Sequence, residues 1–172
     1  KKGFEKLTIK MITDAAGVIR PTFYNYFQDK YEVMEWLLWE DVFKEVSELM
    51  EQERGMESLK LLFRKFEEDK TYYEKVFEVT GQNSFEEMLY GQIFNMEEIL
   101  VKHHPLKHLS NMPHVDEKVF LEFHAISLVN GLKYWLIRES KNISAGDAME
   151  FYQYMMSHSI LDLLDIENTE KK

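Results

Sequence analysis

The sequence predicts an all-α protein, and three observations support that fold class. Only 7 glycines and 3 prolines interrupt the 172 residues, 45% of which are hydrophobic, and neither a disordered chain nor a turn-rich β protein has this composition. Apolar residues recur three, four or seven positions apart over long stretches, which is the period of an amphipathic helix. No segment shows a persuasive alternation of apolar and polar residues, as a half-buried strand would.

The first predicted element is a short helix over residues 9–16. Thr8 precedes it and offers a hydroxyl suited to capping the first turn. Gly17 follows it and can adopt the positive φ that a tight turn needs. Val18, the next residue of the turn, is expected to insert into the core.

A second short helix is predicted over residues 20–27. Pro21 lies in its first turn, where proline is tolerated. Phe23 and Phe27 are four residues apart and are expected to face inward together. The other side chains remain on or near the outer face: Arg20, Thr22, Tyr24, Asn25 and Tyr26. Two short helices, a glycine turn and an outer face rich in hydrogen-bond donors predict a helix-turn-helix, whose second helix would enter the major groove of DNA.

Longer helices are predicted over residues 31–53, 56–69, 71–79, 85–103, 116–139 and 144–165. Gly55 is expected to end the first of them as a C-cap. Ser84, Asp116 and Ser144 offer N-capping side chains to later helices. The stretch 104–115 holds two of the three prolines and is the least regular part of the chain.

The charge is distributed unevenly along the chain. The net charge of −10 by itself disfavours contact with a phosphate backbone. Residues 1–35, the predicted helix-turn-helix domain, contain six basic and five acidic residues, a balance of +1. Residues 36–172, the predicted second domain, contain 15 basic and 26 acidic residues, a balance of −11. The acidity therefore says little about whether the first domain binds DNA.

Several function classes lack support in the sequence. The chain has no nucleophile elbow, phosphate-binding loop, dinucleotide-binding glycine motif or His-Glu-x-x-His motif, so no enzyme and no cofactor is predicted. Cysteine is absent, which excludes a disulfide framework and thiolate metal sites. No apolar run approaches the roughly 18 residues of a membrane span. We therefore expect a soluble, cytoplasmic protein with no membrane partner.

Four histidines gather around the irregular stretch: His103, His104, His108 and His114. Zinc or nickel would need convergent imidazoles. Because the spacing of these residues matches no compact ligand motif, we expect a solvated histidine-rich loop and no metal site.

The run LTIKMITDAAGVIRPTFYNYFQDKYEV, residues 7–33, resembles the DNA-binding region of the TetR/AcrR family of bacterial transcriptional regulators. Two positions depart from the family pattern, since Ile19 replaces a small polar residue and Tyr26 replaces a frequent histidine. The family's first helix is mostly absent here, and we expect residues upstream of Lys1. Residues 66–73 and 131–136 are loosely similar to a subgroup related to the activator of dihydroxyacetone kinase operons.

The resemblance implies a role for each matched DNA-binding position. Six residues match positions that contact phosphates: Thr8, Lys10, Thr22, Tyr24, Tyr26 and Lys30. Three match positions that reach or border base edges: Arg20, Pro21 and Asn25. Independently, an arginine can donate in a bidentate manner to guanine and an asparagine can pair with adenine. For Arg20, a solvated surface role without base contact stands beside this interpretation.

The resemblance also implies that the second domain binds an effector and forms a homodimer through the last two long helices. Their candidate interface residues are Phe120, Phe123, Ile126, Leu128, Leu132, Trp135 and Leu136, with Met149, Tyr152, Met155, Met156, Ile160, Leu163 and Leu164. Part of this set is expected to be intramolecular core. Polar residues within apolar faces, together with nearby aromatic residues and methionines, are candidates for an effector pocket: Phe63, Phe66, Tyr73, Phe77, Met88, Gln92, Met96, His124 and Asn130. The alternative is that they form core.

The sequence thus predicts a ligand-responsive repressor that binds a palindromic DNA operator as a homodimer. The helix beginning at Tyr31 would couple the DNA-binding end to the ligand-binding end. The effector is an unknown small molecule. The alternatives are an activator of the same fold and an all-α binding or scaffold protein with a vestigial helix-turn-helix.

Overall fold

The computed structural model describes residues 3–104, 106 and 114–164. Every regular element in these ranges is helical and none is a strand, which confirms the predicted all-α class. Within the same ranges, no helix is both long and apolar enough to cross a membrane. Most of the irregular stretch, including His108 and two prolines, lies outside the described residues.

The helix-turn-helix consists of α1 (Ile9–Ala16) and α2 (Arg20–Tyr24). The Thr8 hydroxyl caps α1 by accepting a hydrogen bond from the backbone N–H of Met11 at 3.3 Å. Gly17 ends α1 with a φ of 67°, in the left-handed region that glycine adopts without steric cost. Both features confirm the predicted turn.

The predicted insertion of Val18 into the core is wrong. Its side chain is 40% exposed, although its backbone N–H donates to the Thr13 carbonyl at 3.0 Å and closes the turn. Thr13 of α1 and Phe23 of α2 are buried instead. Because these two side chains occupy the interior of the motif, Val18 remains on the surface of the turn.

The long helix predicted over residues 31–53 is continuous but not uniform. It consists of α3 (Lys30–Leu38), a single π-helical turn (Trp39–Phe43) and α4 (Lys44–Glu51). A π turn widens the hydrogen-bond ring by one residue, and such turns are frequent at functional sites. The apolar periodicity does not reveal this turn.

Gly55 does not cap this helix, so that prediction is wrong. Glu53 adopts the left-handed conformation with a φ of 60°, and the backbone N–H of Arg54 donates to the Leu49 carbonyl at 3.0 Å. This backbone bond closes the end of the helix before Gly55 is reached. Gly55 is instead the first residue of α5.

The remaining helices are α5 (Gly55–Glu68), α6 (Lys70–Val76), α7 (Phe85–His103), α8 (Glu117–Tyr134) and α9 (Ala145–Ser157). A second π turn, Trp135–Glu139, extends α8. The predicted caps are confirmed, because Ser84, Asp116 and Ser144 each accept from the backbone N–H three residues ahead.

The last helix is shorter than predicted, since α9 ends at Ser157 and does not reach residue 165. His158 is extended, and its ring stacks on Tyr154 at a centroid distance of 4.2 Å. Ser159 then caps a separate 3-10 turn, Ile160–Leu163. A serine hydroxyl competes for local backbone groups, and here it starts a new element instead of extending the helix.

The helices share one hydrophobic core. α5 packs against α9, α7 packs against α8, and both α3 and α4 contact α7. Met34 and Leu38 of α3 are buried in the same core as the later helices. A domain boundary at residue 35 would therefore fall inside a helix that joins the two parts, and the division into 1–35 and 36–172 stays a prediction.

Candidate functional site

The helix predicted over residues 20–27 ends at Tyr24, and α2 together with the turn that follows it presents polar side chains outward. Phe23 is 5% exposed and anchors the helix, whereas Tyr24 and Tyr26 are 50% and 74% exposed. Arg20 and Asn25 are exposed as well. Neighbouring residues of a helix point in different directions, so burying Phe23 turns the adjacent side chains away from α1. These side chains are accessible to a nucleic acid.

Arg20 and Tyr24 position each other on this surface. Nη2 of Arg20 donates to the Tyr24 hydroxyl at 3.2 Å, and the guanidinium carbon lies 5.8 Å from the ring centroid. The guanidinium keeps further donors and the phenol keeps its own O–H, so the pair can donate to two acceptors on DNA. Pro21 is exposed beside them, and Thr22 is half-buried.

The start of α1 contributes Thr8 and Lys10, both exposed. Because the Thr8 oxygen accepts the capping bond from Met11, its O–H remains able to donate to a phosphate. The Lys10 ammonium pairs with Asp14 at 2.7 Å. An exposed ion pair of this kind is weak, so a phosphate can compete with Asp14 for the ammonium.

Lys30 is more constrained than the resemblance implies. Its ammonium donates to the carbonyl oxygens of Phe4 and Glu5 at 3.0 and 3.1 Å and lies 4.8 Å from the centroid of the Phe4 ring. Lys30 thereby holds a short 3-10 turn, Phe4–Lys6, against the start of α3. Of the three ammonium donors, one remains for a phosphate.

Ile19 is a further candidate for DNA contact, beyond the residues predicted from the sequence. It occupies the N-cap position of α2 without a capping hydroxyl, and its side chain is 68% exposed. An apolar side chain at the start of a recognition helix suits contact with a thymine methyl group. The departure of Ile19 from the family pattern could have identified this candidate from the sequence.

Five of the nine predicted effector residues lie in the packed core: Phe63, Phe66, Tyr73, Phe77 and Met96. Of these, Phe63 also lines a cavity. The rings of Phe66 and Tyr73 stack with their centroids 4.3 Å apart. Side chains packed at this density leave no room for a ligand between them. The core alternative describes Phe66, Tyr73, Phe77 and Met96.

The other predicted effector residues lie in separate places. Met88 and Gln92 are half-buried on α7. Asn130 is exposed, and its amide donates to a carbonyl four residues back in its own helix at 2.9 Å. His124 belongs to a buried polar cluster. The structure does not bring the nine residues together in one pocket.

The cavity that includes Phe63 has a volume of about 170 Å³ and lies between α5, the end of α8 and α9. Its walls are almost entirely apolar, and they are formed by Phe63, Gly131, Tyr134, Trp135, Glu139, Ile143, Ala148, Phe151, Tyr152 and Met155. Such walls suit a compact apolar group, with orientation supplied by a few polar atoms.

The buried polar cluster joins α7, α8 and α9. Glu97 is only 6% exposed, and His124 Nδ1 donates to its Oε1 at 2.6 Å. This hydrogen bond raises the pKa of His124, against the opposing effect of burial. The Tyr152 ring crosses the His124 ring edge-on at a centroid distance of 6.3 Å. Burial and the nearby Glu97 carboxylate raise the pKa of Tyr152.

His124 is among the effector residues predicted from the sequence, whereas Glu97 is not. Glu97 follows Ile93 by four residues and therefore lies on the same face of α7, which is buried there. A carboxylate at a core position is rarely fully buried without a partner. A carboxylate at a buried position of the apolar periodicity was therefore the signal that could have identified Glu97 from the sequence.

The histidines of the irregular stretch do not gather into a metal site in the part of the chain that the structure describes. His103, His104 and His114 are exposed, and Nε2 of His104 lies 3.8 Å from Oε1 of Glu53. Among the described residues, no group of three or more His, Cys, Asp or Glu side chains is arranged to hold a metal ion.

Two family models match this chain. Residues 1–36 match the model described as bacterial regulatory proteins of the tetR family. Residues 53–157, more than half of the chain, match a model described as a transcriptional regulator C-terminal region. The matched segments contain the helix-turn-helix and the bundle from α5 to α9, respectively.

A curated relative is the HTH-type dhaKLM operon transcriptional activator DhaS of Lactococcus lactis subsp. lactis (strain IL1403). It is 28% identical over 74 residues, and the match spans 43% of this chain and 40% of that protein. The chain thus matches less than half the length of this relative.

A solved structure described as the dihydroxyacetone kinase operon activator DhaS has the same fold, with a TM-score of 0.56 and 22% identity. The superposition covers 97% of this chain and 88% of that chain. The matched families and the curated relative are transcription regulators, not enzymes. The chain belongs to the TetR family of transcriptional regulators, with a helix-turn-helix followed by a helical C-terminal region.

Proposed function

We propose that this chain is a ligand-responsive regulator that binds a roughly palindromic DNA operator as a homodimer. The observation that carries the proposal is the outward display of Arg20, Tyr24, Asn25 and Tyr26 around the buried anchor Phe23. Arginine and asparagine supply the bidentate donors that read guanine and adenine in the major groove. The tyrosine hydroxyls supply phosphate contacts that fix the position of the helix. The protein would act in the cytoplasm.

The homodimer is supported by exposed apolar residues on the last helices. Seven of the residues predicted for the interface are exposed: Phe120, Phe123, Ile126, Met155, Met156, Ile160 and Leu164. Others predicted for it are buried in the core and cannot meet a second copy: Leu128, Leu132, Trp135, Leu136 and Met149. Exposed apolar surface of this kind marks protein contacts.

The dimer is tested by Phe123→Glu, which places a charge on the most exposed of the predicted aromatic residues. We expect the mass measured by light scattering to fall from dimer to monomer and operator binding to weaken with it, because both half-sites are then bound independently. An unchanged dimer mass would contradict the proposed interface.

The coupling of ligand and DNA would run through α3. Met34 and Leu38 pack in the bundle core, while the other end of α3 follows the helix-turn-helix directly. A shift of α3 would change the distance between the two recognition helices, which must match successive major grooves about 34–36 Å apart. The π turn after Leu38 marks the point at which the helix changes its winding.

The first candidate for the direction of regulation is repression, as predicted from the sequence. The second candidate is activation, favoured by the printed name of the Lactococcus relative, which is a transcriptional activator. A reporter gene placed behind the bound promoter distinguishes the two, since deletion of the regulator raises expression under repression and lowers it under activation.

DNA binding is tested with Tyr24→Ala combined with Tyr26→Ala. We expect wild-type protein to bind a selected operator in fluorescence anisotropy with an affinity that falls steeply with salt. The double variant should bind at least tenfold more weakly while its dimer mass and helical circular dichroism remain unchanged. Tyr154→Ala, a tyrosine of the bundle that is as exposed as Tyr24 and lies outside the cavity wall, is the matched control and should bind normally.

The rival interpretation, a scaffold protein with a vestigial helix-turn-helix, predicts a different result. It requires that no sequence-selective, salt-sensitive binding appears in selection from a random DNA pool. That outcome would contradict the proposal that this chain is a transcriptional regulator.

A further inference from the structure

Two enclosed polar atoms of the bundle have no hydrogen-bond partner among the described residues: Oε2 of Glu97 and the hydroxyl of Tyr152. Burying a polar atom without a partner is costly, and native proteins retain few such atoms without a structural or functional reason. The two atoms come from different helices, α7 and α9. The packing of a single helix therefore does not explain them.

The two atoms belong to one cluster. His124 donates to Oε1 of Glu97 at 2.6 Å, which leaves Oε2 as the unpartnered oxygen of the same carboxylate. The ring of His124 also meets the ring of Tyr152, at 6.3 Å between centroids. Burial and, after it, the nearby charge of Glu97 raise the pKa of Tyr152, so the phenol stays protonated and can donate.

The chemistry of these atoms defines what they can bind. Oε2 of Glu97 can only accept a hydrogen bond, while the Tyr152 hydroxyl can donate one and accept one. A single hydroxyl group of a ligand can donate to the carboxylate and accept from the phenol at the same time. An anionic group would instead lie beside a carboxylate of the same charge, which is unfavourable.

Tyr152 connects this cluster to the apolar cavity. Its ring forms part of the wall of the cavity, together with Phe63, Trp135, Phe151 and Met155. The ring lies against α8 at Gly131, where an added Cβ would come within 3.1 Å of Cδ2 of Tyr152. Glycine at this position therefore permits the close approach of the ring to α8.

The size of the cavity limits the apolar part of a ligand. Its volume is about 170 Å³, and an engineered apolar cavity of roughly 150 Å³ in another protein binds benzene. A single ring or a short branched chain is therefore the largest group that the cavity accommodates without rearrangement.

We propose that Glu97, His124 and Tyr152 form the polar anchor of a binding site for a compact, uncharged ligand that carries a hydroxyl group on an apolar body. The hydroxyl bonds to Oε2 of Glu97 and to the Tyr152 phenol, and the apolar body fills the neighbouring cavity. His124 holds the carboxylate in place. That this ligand is the effector rests on the proposed function, whereas its binding does not. α7, which contributes Glu97, also contacts the coupling helix α3.

The test compares three probes that share one ring: benzyl alcohol, toluene and benzoate. Binding to the whole protein is measured by saturation-transfer NMR and by titration of protein methyl resonances. We expect benzyl alcohol to bind roughly tenfold or more tightly than toluene, since hydrogen bonds to charged groups contribute that much. Benzoate should bind more weakly than either.

Variants locate the site. Tyr152→Phe removes only the hydroxyl and should reduce the preference for benzyl alcohol over toluene to within about threefold, while toluene binding is retained. Glu97→Gln should lose the same preference. Tyr154→Phe, two residues along α9 and exposed, should leave it unchanged. If Glu97→Gln does not fold, Tyr152→Phe alone decides the result.

The proposal is overturned if benzyl alcohol does not bind, if it binds no better than toluene, or if Tyr152→Phe keeps the wild-type preference. The same preparations are tested for operator binding. Normal operator binding without the hydroxyl preference contradicts this inference alone, and the reverse pattern contradicts the proposed function alone.

Discussion

The helix-turn-helix and the helical bundle use aromatic side chains for opposite purposes. In the helix-turn-helix, Tyr24 of α2 and Tyr26, two residues beyond its end, are exposed beside the buried anchor Phe23. In the bundle, Phe66 and Tyr73 stack where almost no solvent reaches them. The residue types are alike, so position relative to the nearest buried anchor decides whether an aromatic ring stabilises the fold or remains available for contact.

Charged pairs show the same difference between the two regions. Lys10 and Asp14 of α1 form an exposed pair, which water and salt screen and which contributes little to folding. Glu97 is buried with its partner His124, and removing one member of a buried pair leaves an uncompensated charge. Buried polar groups therefore point to function more strongly than the many exposed carboxylates of the bundle do.

The largest expected effect separates folding from DNA contact. Phe66→Ala should lower the free energy of unfolding by about 3–5 kcal/mol, because it removes a fully buried ring and leaves a cavity. Tyr26→Ala should change it by less than about 0.5 kcal/mol, since its side chain is mostly exposed. Urea denaturation followed by circular dichroism measures both.

Operator affinity should show the reverse order. Tyr26→Ala is expected to weaken binding under conditions in which the Phe66→Ala protein remains folded and binds normally. Equal destabilisation by the two substitutions would show that the contrast between the regions is false.

A smaller effect on operator specificity should distinguish contact of Arg20 with a base from contact with a phosphate. Arg20→Lys keeps the charge but removes the planar fork that reads guanine in a bidentate manner. If Arg20 contacts a base, the substitution should cost about 1–3 kcal/mol of discrimination against the wrong base. Binding to nonspecific DNA should change little. Anisotropy titrations with matched and single-substituted operators measure the difference, and an unchanged ratio would assign Arg20 to the phosphate backbone.

Adding one hydroxyl group at the N-cap of α2 should stabilise the folded protein. Ile19→Ser supplies the capping group that α2 lacks and removes an exposed apolar side chain. We expect the free energy of unfolding to rise by about 1 kcal/mol. Ile19→Ala, which provides no acceptor, is the control. Thermal denaturation compares the two, and equal melting temperatures would contradict the capping argument.

The smallest effect concerns pH. The hydrogen bond to Glu97 raises the pKa of His124 above its ordinary value of 6.5, so this group stabilises the folded state fully below about pH 6.5. That contribution is lost as pH rises through the folded-state pKa. Because about a third of the side chain is exposed, with 35% accessible, we expect a change below about 1 kcal/mol.

Urea denaturation between pH 6 and pH 8.5 measures this dependence. His124→Gln removes the titrating group and should flatten the profile relative to wild type. A wild-type stability that instead rises over this range, with the same rise in His124→Gln, would show that His124 does not contribute.

The local features of the fold were predictable because they depend on neighbouring residues. The cap at Thr8, the left-handed Gly17 and the caps at Ser84, Asp116 and Ser144 all follow from side chains within a few positions. The wrong prediction of a Gly55 cap concerns a choice between two nearby residues that could end the helix. At the end of α4 the left-handed residue is Glu53, and backbone hydrogen bonds decide this outcome against the more favourable glycine nearby.

The candidate sites divide in the same way. Outward display of the α2 side chains follows from helical spacing around Phe23, and the resemblance to the TetR/AcrR family implied which residues contact DNA. The apolar pattern did not separate Phe66, which is packed in the core on all sides, from Phe63, which belongs to the same core but also lines a cavity. Both have helical spacing and both are apolar, and only the neighbours from other helices distinguish them.

The sequence by itself determined the helical class, most helix caps, the helix-turn-helix and the family, because these depend on periodicity and on short motifs. Tertiary structure alone decided that Lys30 binds the carbonyls of Phe4 and Glu5, and that Glu97, His124 and Tyr152 meet. These contacts join residues more than 20 positions apart in the chain. Their geometry depends on how whole helices pack, which no local pattern specifies.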